Sequence, residues 1–356
     1  MATENIGTKR SRIYWVDNLR SFVIFLVVLY HAGGVYESTG GWAPFWLVDD
    51  PATSDLVGII NAIINIFIMP VLFFISGYLT PISLDRKGGW GFVKARLRRL
   101  ILPWAIAVLA LIPLYKVIFL YSRGLPQEHW TTYFHFSPGN ISSQNWLWFL
   151  PVLFLFNVVY LLLAKAGLSF PNFSRKAAVL LIMLVGFVYS LVVGLLFGPG
   201  NWTLTPLLDF ENERLLLYFL MFLVGALYFR QDAFADKPKD KVLYIVAAAT
   251  AWIPVTVYFF LLIIPLLSPD GALISPLVDR VLLWFSFYIS LLLLMYLNIE
   301  TFWRYLDGTG RIRGELNRNS LYVYLIHVVV IGLIALLLLG VGLPGLVKYL
   351  ILVVTA

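Results

Sequence analysis

Arg20-Ser-Phe-Val-Ile-Phe-Leu-Val-Val-Leu-Tyr-His31 is a run of uncharged, largely apolar residues with a cation at one end and an imidazole at the other. Eleven positions is close to three helical turns. The two side chains therefore share one face of a helix, about 16 Å apart along its axis. A cation and a histidine on one face of a membrane-length helix are costly to retain unless they are used.

The rest of the chain has the same solvent. Its 356 residues are 60% hydrophobic and 13% charged, with a mean hydropathy of +0.86. A soluble globular chain is nearer 45–50% apolar and about 25% charged. Spans of about 20 apolar residues fall near 20–36, 59–80, 100–120, 146–164, 177–197, 214–229, 242–266, 280–299 and 320–340. A short tenth lies at 345–356. The expected fold is all-α, a polytopic transmembrane bundle of about ten spans forming one domain over 1–356, with a short cytoplasmic N-terminal segment, 1–16. That segment is polar and basic, and no small-residue cleavage site follows the first apolar run. The run therefore reads as a retained span rather than a signal peptide. The net charge of +7 does not point to nucleic acid, because the distribution of charge among loops matters more here than its sum. Without cysteine there are no disulfides, thiol nucleophiles or cysteine-ligated metals.

Lysine and arginine gather in alternate loops. With the N-terminus in the cytoplasm, the inner set takes in Lys9, Arg10, Arg12 and Arg20, the cluster from Arg86 to Arg99, and the basic residues after spans four, six and eight. Only Lys116, Arg123, Arg214, Arg280 and Lys348 lie toward the outside. This bias sets the orientation, with the cell's inner membrane as the expected location. It puts Arg20 at the inner end of the first span and His31 in its outer half. The outer loops carry Asp49, Asp50, Asp55, Asp209, Glu211 and Glu213. They also carry Trp42, Trp46, Trp130 and Trp202, which suit either an interfacial belt or stacking on sugar rings.

His31 has the chemistry of a general base, since an imidazole titrates near neutrality. A structural histidine is the competing reading. Asp17 stands three residues before Arg20 and suits a helix N-terminal ion pair. Lys94, Arg96, Arg98 and Arg99 are dense for a topology signal alone. At α-helical spacing Arg96 and Arg99 share a face suited to phosphate. In the second span Asn61, Asn65 and Ser76 fall along one face, and Gly77 permits close approach of a backbone or a ligand. Trp148 opens the fourth span, and His327 is a second intramembrane histidine. His129 and His135 lack partners at ligand spacing, so no metal site is expected. No Walker A loop, dinucleotide fingerprint or Gly-x-Ser-x-Gly elbow occurs.

Taken together, these motifs resemble the acyltransferase 3 family of integral membrane acyltransferases. The carriers are Tyr14-Trp-Val-Asp17-Asn-Leu-Arg20 with His31, Pro70-Val-Leu-Phe-Phe-Ile-Ser76-Gly77-Tyr78, and Arg96-Leu-Arg-Arg99 before Leu-Ile-Leu-Pro103. Trp146-Leu-Trp148-Phe149-Leu-Pro and Ser320-Leu-Tyr322-Val-Tyr324-Leu-Ile-His327 complete the set. They keep the family order across most of the chain. The long outer loop after His31 and the approach Asn65-Ile-Phe-Ile-Met69-Pro70 are similar to the glucans biosynthesis branch. The tail departs from the family, because 345–356 spans only about 18 Å as a helix and contains Lys348.

The resemblance implies transfer of an acyl group, acetyl or succinyl in type, from cytoplasmic acyl-coenzyme A to a hydroxyl of an extracytoplasmic glycan. Arg20, Arg96 and Arg99 would hold the coenzyme A phosphates. His31 would act as general base or first accept the acyl group. Asn65, Ser76, Trp148 and His327 would serve the substrate or the oxyanion. The implied partners are acyl-coenzyme A, a carbohydrate and membrane lipid, with room for a homo-oligomer and none for nucleic acid. The other reading is a secondary transporter or flippase for a glycan or lipid-linked sugar. Such proteins often carry paired repeats with matching helix breaks. No repeat is visible here, and Pro113, Pro254 and Pro265 do not correspond.

Overall fold

A computed structural model of the chain describes residues 13–38, 46–134, 144–167, 174–198, 200–236, 240–267 and 271–356. The expectations placed on most of segment 1–16 and on Trp42, His135, Lys237 and Lys239 lie outside these. The helices follow the predicted spans in order. They are α1 (Tyr14–Tyr36), α2 (Asp55–Arg96), α3 (Leu102–Ser122), α4 (Phe149–Lys165), α5 (Arg175–Phe197), α6 (Leu215–Arg230), α7 (Val242–Thr250), α8 (Trp252–Leu267), α9 (Pro276–Tyr305), α10 (Arg311–Leu338) and α11 (Gly345–Thr355). Seven stretches among the described residues are long and apolar enough to cross a membrane, and one of them, Asp55–Ser122, holds α2 and α3 together. The chain is an all-α polytopic membrane protein. The only strands among the described residues are Trp202–Thr203 and Phe210–Glu211, a two-residue antiparallel pair in one loop.

Several features depart from the predicted linkers. The segment 81–99 is helical rather than a loop, and it reverses at Gly88, whose φ of 64° lies in the region open to glycine. The reversal is required by a contact. Arg96 Nη2 lies 3.4 Å from Thr80 Oγ1, whereas sixteen residues of straight helix would separate them by about 24 Å. A π-helical turn, Leu97–Ile101, then leads into α3. The predicted span 242–266 is broken at Ala251 into α7 and α8. Pro254 has no N–H to offer the carbonyl of Thr250, so the ladder is interrupted there.

α1 lies between α2 on one side and α10 on the other. α1 and α10 run parallel: Ser21 pairs with Asn317 at 2.5 Å near one end, and His31 pairs with His327 at 3.0 Å farther along. α2 and α6 pack backbone to backbone. A Cβ on Gly77 would overlap the carbonyl of Phe222, and a Cβ on Gly225 would overlap the carbonyl of Phe74. The close approach that Gly77 permits is thus to another backbone, as small residues commonly allow between membrane helices. Gly77→Val is expected to lower stability by about 1–3 kcal/mol through overpacking. A lowered thermal midpoint in detergent would register this; an unchanged midpoint would contradict the packing.

α11 docks against the loop before α2. Gly345 meets the backbone of Ala52 and Thr53, and Lys348 Nζ lies 2.7 Å from Asp50 Oδ2. The lysine that sits oddly in an apolar tail has a buried carboxylate partner. On the outside of the bundle, α5 and α8 expose Leu184, Val188, Leu195, Trp252 and Phe260, a surface matched to lipid chains rather than to water.

Candidate functional site

At the centre of the bundle two histidines from helices almost 300 residues apart meet. His327 Nδ1 lies 2.8 Å from Tyr324 O and 3.1 Å from Val323 O. A carbonyl oxygen only accepts, so in the neutral ring Nδ1 carries the hydrogen and Nε2 presents a lone pair. His31 Nδ1 lies 3.0 Å from that Nε2 and 2.9 Å from Val27 O, so it donates as well. The network therefore assigns the lone pair of His31 to Nε2.

An aromatic wall holds this pair. The ring of Trp46 stacks on His31, with centroids 5.3 Å apart and planes 14° apart, and its Nε1 donates to His31 O at 3.2 Å. The hydroxyl of Tyr324 donates to Trp146 O, while Trp146 Nε1 donates to Leu325 O at 3.0 Å. The short 3₁₀ turn Asn145–Trp148 is thereby fixed to α10 beside His327. Phe149, Phe73 and Tyr218 continue the aromatic packing away from Tyr324.

The basic end of the bundle holds the arginines. Arg20 pairs with Asp17 at 3.1 Å, and its Nη2 donates to Asn317 O at 3.3 Å. The Asp17–Arg20 ion pair is thus present. Arg96 is half-buried over the ring of Phe92 and reaches Thr80, whose Oγ1 donates in turn to Asn157 Oδ1 at 3.1 Å. Its Nε is buried and makes no hydrogen bond. Arg99 is exposed. A π-helical turn, Leu97–Ile101, takes the place of the α-helical spacing on which the shared face of Arg96 and Arg99 was expected.

Toward the acidic end, α1, α2, α8, α9 and the loop before α6 enclose a cavity of about 450 Å³. Tyr30, the neighbour of His31, lines it together with Asn61 and Asn65. Arg214 binds Asn65 Oδ1 at 3.2 Å and Glu211 at 3.2 Å. Asn61 donates to Glu37 at 2.8 Å. Burial raises the carboxyls of Glu37 and Glu213 above their ordinary values. Among the described residues, no group of three His, Cys, Asp or Glu could hold a metal ion.

The sequence model of the acyltransferase 3 family, described as an acyltransferase domain, matches residues 13–356. The chain belongs to this family. Curated relatives include glucans biosynthesis protein C of Salmonella typhimurium and of Salmonella typhi. Each is 26% identical over 233 residues, covering 61% of this chain and 58% of the relative. The chain therefore aligns with little more than half the length of these relatives. No solved structure matches.

Within the acyltransferase 3 framework the structure gathers His31, His327 and the Trp146–Trp148 turn into one region. Asn65 stands instead at the cavity, on Arg214. Ser76 lies deeper along α2, where its carbonyl accepts from Thr80. Trp148 packs on Trp202 and Tyr218. Sequence reasoning missed Trp46, which is buried against His31 rather than in an interfacial belt. It also missed Arg214, Arg280 and Trp284. Arg214 and Arg280 were legible as cations on the acidic side, but nothing in the sequence said that they faced one cavity.

Proposed function

We propose that this protein is a single-domain membrane O-acyltransferase that moves an acyl group from a cytoplasmic acyl-coenzyme A to a hydroxyl of an extracytoplasmic glycan. The supporting observation is the hydrogen-bond chain from Tyr324 O through His327 to His31, which leaves a basic nitrogen on His31 beside an aromatic wall. In this reading His31 Nε2 takes the proton of the acceptor hydroxyl as its oxygen attacks the thioester carbon. The carbon–sulfur bond then breaks, and the proton passes from Nε2 to the leaving thiolate. The lone pair of His327 accepts from Nδ1 throughout and so supports the transient imidazolium. The chain lies in the inner membrane with its N-terminus in the cytoplasm, as the positive-inside bias suggests. The acceptor class, a glucan, is suggested by the name of the relatives.

The donor's phosphates fall to the basic end. The buried, unbonded Nε of Arg96 fits an anion there, and Arg99 offers an exposed second cation. Arg20 is partly neutralised by Asp17. Arg96→Gln is expected to raise the KM for acyl-coenzyme A about 10–100-fold, the range for loss of a charged hydrogen bond, and Arg99→Gln less. Equal effects at the two positions would remove the distinction drawn from burial. The proposal as a whole is tested by reconstituting the protein in vesicles with radiolabelled acetyl- or succinyl-coenzyme A and a gluco-oligosaccharide on opposite sides. Acylated sugar supports it. Sugar crossing the bilayer unmodified would favour the transporter reading.

A further inference from the structure

The cavity beside Tyr30 has an uncommon lining. Buried polar side-chain atoms almost always have a hydrogen-bond partner. Here five residues that each carry an atom without one line one space: Asn61 (Oδ1) and Glu213 (Oε1) as acceptors, and Arg280 (Nη1), Trp284 (Nε1) and Arg214 (Nε, which has Glu211 Oε1 as ion-pair partner at 3.2 Å) as donors. They come from α2, α9 and the loop before α6, so no local distortion of one element accounts for them. Glu213 Oε1 and Arg280 Nη1 are 3.9 Å apart, too far for a hydrogen bond. Glu213 and Trp284 are only 3% and 5% exposed. Leaving such groups unmade costs about 1–3 kcal/mol each, which a ligand would recover.

Three properties narrow the ligand. The lining alternates donors and acceptors, matching hydroxyls, each of which both donates and accepts. It includes the rings of Tyr258 and Trp284, flat apolar surfaces for the C–H face of a ring. Its charges are balanced against anions: Arg214 has Glu211 at 3.2 Å and Arg280 has Glu213 nearby, and Glu37 adds a further carboxyl. The volume lies within the roughly 300–1,000 Å³ of small-molecule sites. Gly194 of α5 preserves the arrangement, since a Cβ there would overlap Glu213 Oε1.

We infer that this cavity is a binding site for a neutral sugar unit, which Asn61, Glu213, Arg280 and Trp284 hold through its hydroxyls. The assignment of that sugar as the acyl acceptor rests on the proposed function; the binding itself does not. Purified protein in nanodiscs, with no thioester present, is titrated calorimetrically with the glucose disaccharides laminaribiose and sophorose, and with glucuronic acid as an anionic control. At least one neutral disaccharide is expected to bind, and the uronic acid at least ten-fold more weakly. Trp284→Phe, which keeps the ring and loses the N–H, and Glu213→Gln, which keeps the shape, should each weaken binding about ten-fold. Thermal unfolding of each variant checks folding, and Asn61→Ser offers an independent probe from α2. Absence of neutral-sugar binding, preference for the uronic acid, or unchanged affinity in all folded variants would overturn the inference. Sugar binding that follows these variants in a protein that transfers no acyl group would uphold the site and overturn the enzymatic reading.

Discussion

His31→Ala is expected to lower acyl transfer by about 10²–10⁴-fold, the range supplied by a positioned general base, while the protein still inserts and folds. Alanine removes the ring on which Trp46 stacks, but Trp46 stays anchored through its Nε1 to the backbone carbonyl of residue 31, so the fold is expected to survive. The companion variant separates chemistry from structure. His327→Phe removes the acceptor of the His31 Nδ1 proton but keeps an aromatic ring beside Tyr324. Val27 O still lies 2.9 Å from Nδ1, so the useful tautomer is only partly lost. A fall of about 10–100-fold in kcat, by analogy with the loss of an outer hydrogen-bond partner of a metal-bound histidine, is expected with the KM values unchanged. The assay is acyl transfer by purified protein across a range of donor and acceptor concentrations. Wild-type turnover in His31→Ala would remove the residue from the mechanism. A change confined to KM in His327→Phe would make that residue a binding group instead.

Lys348→Met should destabilise the fold by about 3–5 kcal/mol, because it strands the carboxylate of Asp50 where neither water nor another cation reaches it. The two side chains are 2% and 0% exposed, so solvent does little to weaken the pair. Lys348 donates to both carboxylate oxygens, at 3.0 and 2.7 Å, and Asp50 also accepts from Ala52 N at 2.9 Å. Asp50→Asn should cost a comparable amount, since the amide keeps the bond from Ala52 N but strands the buried ammonium of Lys348. The double replacement Asp50→Leu with Lys348→Met should recover much of the loss, as paired apolar substitutions of buried ion pairs often do. Thermal unfolding in one detergent, compared across the three variants, checks the ordering. A Lys348→Met protein as stable as wild type would mean that α11 is not held by this pair.

The fold class and the helix order were legible because burial in lipid imposes a one-dimensional rule. Every crossing needs a long apolar run, and every loop declares its side by its charge. The boundaries were less legible. Gly88 and the π-helical turn at Leu97–Ile101 sit in a stretch whose composition resembles a polar linker, although its backbone is helical. Lys348 illustrates the same limit. In the sequence it weakens the case for a final span, and only the contact with Asp50, 298 residues away, gives it a reason to be there.

Of the candidate site, the sequence alone determined the residue types and their spacing along α1: a cation, three turns of apolar residues and an imidazole. Helical periodicity is sufficient to put Arg20 and His31 on one face. It cannot say which ring nitrogen of His31 is basic, because that depends on a hydrogen bond from α10. It cannot say that Trp46 leaves the interfacial belt to stack on the imidazole, or that Arg280 and Trp284 share a cavity with Asn61. These are choices of packing, made between helices far apart in the chain. A local sequence pattern specifies the face a residue occupies, while its partner is decided only when that face meets another.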